Sequence, residues 1–111
     1  MKSNLLADRQ LAEFKRTGHL TVPAVFADDT IRSVLEDLDC WSREYLATLS
    51  EADRHWYVEA ATEDSTRLRK LDHPAFHRRV FRDLGTSPPL LSMVGQLIGP
   101  VGALFFSQVF M

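Results

Sequence analysis

Four histidines are the first side chains to weigh for chemistry. His73 and His77 stand four positions apart, the helical spacing that can turn two imidazoles toward one metal ion. His73 falls at or before the start of the helix that would carry them, however, and no carboxylate stands in ligand register with the pair. Surface or capping roles are the expectation for both. His19 and His55 are isolated beside strand starts and read as structural. The sequence has no His-x-Asp, no glycine-rich phosphate loop, no serine nucleophile elbow and no Cys/His pairing. Cys40, the only cysteine, sits beside Trp41 on a helix and reads as a small half-buried residue rather than a nucleophile.

Arg67, Arg69 and Lys70, with Arg54 upstream, make a modest cationic group. The simpler reading is a solvated strand edge whose charges discourage pairing with other chains. The other is an anion site for a cosubstrate that carries a carboxylate. Arg78, Arg79 and Arg82 read as the wet face of the following helix. Gln108 is the one sizeable polar side chain among the apolar residues of the final stretch. A buried amide needs hydrogen-bond partners, so it is either satisfied by its neighbours or turned into a cavity where a ligand completes it.

Several elements must position these groups. Asp8 to Thr17 reads as a helix with Leu11 and Phe14 inward and Gly18 as its stop. His19 to Val22 reads as a short strand closed by Pro23. Asp28 or Asp29 is expected to cap a long helix over about Thr30 to Leu49. Its apolar stripe is Ile31, Val34, Leu35, Leu38, Trp41, Tyr45, Leu46 and Leu49. Trp56 to Ala60 and Arg67 to Leu71 read as a hairpin turned by Thr62 to Ser65. Asp72 or His73 then caps a helix that starts at Pro74 and ends at Gly85, with Phe76, Val80, Phe81 and Leu84 inward. Ser87 and Pro88 open a further helix carrying Leu90, Leu91, Val94, Leu97 and Ile98 on one face, stopped by Gly99-Pro100. Val101 to Met111 then reads as a strand apolar on both faces, the pattern of a strand covered on both sides. Few other strands are available to cover it, so the chain is expected to be the front part of a larger α+β fold whose sheet is unfinished.

At 111 residues with a net charge of −2, the chain has room for one domain and no electrostatic reason to seek nucleic acid or an anionic membrane. A single cysteine permits no internal disulfide, which suits a cytoplasmic location. The N-terminus lacks the pattern of a signal peptide. The longest uncharged run, Gly85 to Met111, is broken by Gly-Pro and is not a transmembrane span.

The order of segments resembles the N-terminal part of the phytanoyl-CoA dioxygenase family of non-haem iron, 2-oxoglutarate-dependent oxygenases. Leu11 to Pro23 is similar to the family's opening helix, glycine and first strand. Ala27-Asp28-Asp29-Thr30-Ile31 resembles the approach to its long helix, and Arg69-Lys70-Leu71 its basic strand. Leu90-Leu91 through Leu97-Ile98-Gly99-Pro100, followed by the Phe105 to Met111 strand, resembles the helix, turn and strand that lead to the metal site.

The resemblance implies a helical N-terminal part plus the first strands of a double-stranded β-helix, or jelly roll, with residues 1–111 forming a single segment that lacks the metal-binding core. In the complete enzyme, Fe(II) and 2-oxoglutarate would support hydroxylation of a small organic substrate. The family's His-x-Asp and later His do not occur here, nor does the distal arginine that holds the 2-oxoglutarate carboxylate. The chain alone is therefore expected to bind neither cofactor in the family's manner and to be inactive. For the cofactor-binding role the resemblance points to Lys70 and Gln108, with Arg69 as the alternative if the strand register slips by one residue. A reading from another class is a non-catalytic truncated relative that self-associates, or binds another protein, through its terminal strand.

Overall fold

The computed structural model describes residues 6–58, 68–100 and 106–111. Helix α1 spans Asp8–Thr17 and ends as expected, with Gly18 in the left-handed region (φ 79°) and its N–H on the Phe14 carbonyl. Helix α2 spans Asp28–Thr48. Its N-cap is Ala27, so Asp28 and Asp29 do not cap it; they lie in its first turn, where negative charge suits the helix dipole. Residues 19–22 form no strand. They run as loop into a turn at Pro23-Ala24, because no neighbouring strand among the described residues offers them a ladder.

The expected hairpin is met in part: its first arm is helical over Trp56 and Tyr57, Lys70 and Leu71 of its second arm are strand, and residues 59–67 lie outside the described part. Helix α3, Glu51–Tyr57, takes in Trp56 and Tyr57, and the Ser50 hydroxyl caps it by accepting from the Asp53 N–H. What survives is an antiparallel bridge between Val58 and Leu68. The intended turn, and Arg67 with it, lies outside the described residues. Strand β1 is Lys70–Asp72 and pairs antiparallel with β2, Gln108–Phe110, in the register Lys70↔Phe110, Leu71↔Val109 and Asp72↔Gln108. Two further bonds prolong the ladder: His73 N–H to the Ser107 carbonyl (3.0 Å) and Met111 N–H to the Arg69 carbonyl (2.9 Å). The chain is thus α+β, dominated by helices, with one small antiparallel sheet among the described residues.

The single helix expected from Pro74 to Gly85 is two. Helix α4 is Pro74–His77 and helix α5 is Arg79–Gly85, with Arg78 extended between them (φ −128°, ψ 123°). The break turns Arg78 toward α2 instead of solvent. There its guanidinium donates to both Asp37 carboxylate oxygens (3.0 and 2.7 Å) and to Glu44 (3.2 Å). It also throws Phe76, expected inward, to the surface at 78% exposure. Helix α6, Pro88–Ile98, has Ser87 at its N-cap, but the hydroxyl makes no cap bond and is buried without a partner. Two prolines at the first two helical positions leave few backbone donors for it.

The core is thin. Trp41, Val58, Leu68 and Leu71 form its centre, with Leu38, Tyr45, Leu46, Leu49 and Tyr57 packed around them. Trp41 gathers rings from three elements, lying 6.4 Å from Tyr45, 5.9 Å from His77 and 6.2 Å from Phe81. The expected apolar stripe of α2 is only partly covered, since Ile31 and Leu35 are exposed. Cys40, expected half-buried, is exposed, and its thiol donates to Glu44 (3.3 Å). The terminal strand is not covered on both faces: Phe106, Phe110 and Met111 are exposed, and residues 101–105 lie outside the described part. The radius of gyration is 17.2 Å, where a compact chain of about 100 residues has about 13 Å. No helix among the described residues is long and apolar enough to cross a membrane.

Candidate functional site

Strand alternation decides which side chains meet on the sheet. Leu71 and Val109 share one face, and Leu71 on it is completely buried in the core. Lys70 and Asp72 from β1 share the other with Gln108 and Phe110 from β2. Tyr57, at the end of α3, reaches the same face. The Asp72 carboxylate collects three donors. The Tyr57 hydroxyl donates to Oδ2 (3.1 Å), the Gln108 side-chain amide donates to Oδ1, and Lys70 Nζ lies 3.6 Å from Oδ2. Lys70 also stands over the Tyr57 ring, 5.6 Å from its centroid. The carboxylate and the lysine are both half-buried, so the cluster borders solvent.

The electrostatics follow from this packing. Burial pushes the Asp72 carboxyl up, but the bonds from Gln108 and Tyr57 and the charge of Lys70 outweigh it and hold the group below the ordinary carboxylate range. Tyr57 moves the other way. The neighbouring Tyr45 hydroxyl, burial and the Asp72 carboxylate together push its phenol up to about 12. Near-ultraviolet absorbance should therefore show Tyr57 ionising about two pH units above an ordinary tyrosine, and Tyr57→Phe should remove that step. Because the folded state holds the proton more tightly, stability is intact below about pH 10 and is lost as pH rises toward 12. A Tyr57 step at the ordinary tyrosine value in the native chain would contradict its contacts with the Tyr45 hydroxyl and the Asp72 carboxylate.

Of the residues expected to bind a cosubstrate, Lys70 and Gln108 come together on Asp72. Arg69 does not join them. Its guanidinium donates to the carbonyls of His55 and Trp56 and so closes the C-terminal end of α3. The cationic group therefore divides. The Asp72 carboxylate satisfies the Gln108 amide N–H. Lys70 is not an isolated charge, because Asp72 offsets it; an ammonium has three donors, and one contact leaves the others for a ligand.

Asp72 and Tyr57 went unrecognised in the sequence. The available signal was Lys70-Leu71-Asp72, in which opposite charges flank a leucine at strand period. Its meaning needed Gln108, 36 residues beyond Asp72. A second feature also escaped notice, an open cleft of about 580 Å³ between α4, α5 and the approach to β2, lined by His73, Phe76, His77, Arg82, Phe106 and Ser107. Among the described residues, no three His, Cys, Asp or Glu side chains come together in a way that could hold a metal ion.

In comparisons with known proteins, no family model, no curated protein and no solved structure matches the chain.

Proposed function

We propose that this chain forms the N-terminal portion of an Fe(II)/2-oxoglutarate-dependent dioxygenase of the phytanoyl-CoA dioxygenase kind, in which β1 and β2 begin a jelly roll and the helices form its outer support. The observation that carries this reading is the meeting of Lys70 and Gln108 on one polar sheet face around Asp72. Those are the two residues that the resemblance associates with the cosubstrate. The described residues do not fit an iron site by themselves, so this chain's share of the work is binding and shaping. Asp72 holds Lys70 and Gln108 at fixed positions. The remaining Lys70 donors then face an incoming carboxylate, and Tyr57 walls one side.

Titrating 2-oxoglutarate into the chain tests this. Without the iron that anchors the cosubstrate in the family's manner, only weak saturable contact is expected, abolished by Lys70→Ala and weakened by Gln108→Ala, with neither tight stoichiometric iron uptake nor succinate formation by the chain alone. Binding indifferent to both substitutions, or turnover by the isolated chain, would overturn it.

The second reading is a non-catalytic interaction module. It is favoured by β2, whose outer edge is unpaired among the described residues and carries exposed Phe110 and Met111 beside exposed Phe106. Light scattering coupled to gel filtration separates the two. A dimer that Phe110→Pro, at an N–H facing away from β1, converts to monomer supports the module, whereas a monomer at every concentration argues against it.

A further inference from the structure

The cleft beside β2 shares no lining residue with the Asp72 cluster and does not depend on the oxygenase reading. We propose that it is a binding site for a small planar apolar molecule carrying one carboxylate. Its volume, about 580 Å³, falls within the range of about 300–1,000 Å³ usual for small-molecule sites. Two phenylalanines stand at its surface, Phe76 at 78% and Phe106 at 53% exposure. Each is held edge-on by a histidine: His73 lies 5.3 Å from Phe106, and His77 lies 5.0 Å from Phe76. Rings fixed this way offer flat faces for stacking at little entropic cost.

The polar lining is one-sided. Arg82 and the two imidazoles supply N–H donors, and among the described residues no carboxylate lines the cleft. The Arg82 Nε–H donates to the Ala75 carbonyl (3.1 Å), which fixes the plane of the guanidinium and leaves its terminal nitrogens for a ligand. The Ser107 hydroxyl is already used, accepting from the Ala75 N–H (3.3 Å), and so serves to hold the wall. An open apolar cleft with an oriented cationic fork and no acid among its described lining residues selects an anion attached to a flat apolar body.

The test compares 2-naphthoate with its neutral isostere 2-naphthylmethanol on the full chain, with binding followed by NMR shifts of the His73, His77 and Arg82 side chains. Naphthoate should bind at least about tenfold more tightly than the alcohol, the scale of one charge-assisted hydrogen bond. Arg82→Gln should abolish that preference and Arg82→Lys should keep part of it. Phe106→Ser, a change at an exposed ring, should weaken both probes alike while leaving the helical circular dichroism intact. Equal affinity for the two probes in the unaltered chain would overturn the proposal, as would shifts that map away from the cleft.

Discussion

Leu71→Ala is expected to lower the unfolding free energy by about 3 kcal/mol, within the range measured for emptying a buried leucine site. Leu71 is the one large side chain with no exposure among the described residues, and it packs against Trp41, Val58 and Leu68. Those contacts come from α2 and from both sides of the Val58–Leu68 bridge, so alanine leaves a void that several elements would have to move to fill. The core is small, and few other buried side chains share the load. A loss of this size is a large part of the 5–15 kcal/mol that holds a typical domain together, so the variant should be partly unfolded at moderate temperature. Urea unfolding followed by Trp41 fluorescence, in a Trp56→Phe background that removes the exposed second indole, measures it. Leu71→Met should cost under about 1.5 kcal/mol, because volume is kept. Ile98→Ala, at a side chain 71% exposed, should change stability by under about 0.5 kcal/mol. A loss below about 1 kcal/mol for Leu71→Ala would show that β1 is not seated on the core.

The contrast between Leu71 and Phe76 explains how much of this fold could be read in advance. Helices α1, α2 and α6 were legible because their signals are local: apolar spacing, Gly18 after α1, and Ser87-Pro88 before α6. Leu71 looked like one apolar strand residue among several, and its rank as the most buried side chain depends on β2 and α2 packing over it. Phe76 looked like core because the helix was assumed to run through Arg78, and a break of one residue reverses which face it occupies. The strand expected at His19 to Val22 failed for the complementary reason. A β-strand needs a neighbour, and the sequence alone does not say whether one arrives. The same limit governed the site. Gln108 stood out as a lone amide among apolar residues, but Asp72, its partner, resembled an ordinary helix cap until strand register set the two side by side.

Arg78→Met should destabilise the chain by about 2 kcal/mol despite preserving much of the side-chain volume. The pair it breaks is not of the weak surface type. Arg78 and Asp37 side chains are 22% and 27% exposed, and the guanidinium grips both carboxylate oxygens, a geometry that resists exchange with water. Glu44, at 60% exposure, adds little by comparison. Methionine would leave the Asp37 carboxylate half-buried without its counter-charge, and the tether between α2 and the α4–α5 break would be gone. Asp37→Asn in the same background should then cost little more, so a double-mutant cycle should return a coupling of about 1–2 kcal/mol. Acid gives an independent readout. The Arg78 guanidinium holds the Asp37 carboxyl below its usual value, so this stabilisation is complete above about pH 4 and is lost as pH falls through the lowered folded-state value. Between pH 5 and pH 2 the unaltered chain should therefore lose more stability than Arg78→Met does, with the Asp72 contribution falling in both. Parallel acid profiles, with a cycle near zero, would mean that the fork merely decorates the break. In that case α5 would owe its place against α2 to apolar packing such as the contact between Trp41 and Phe81.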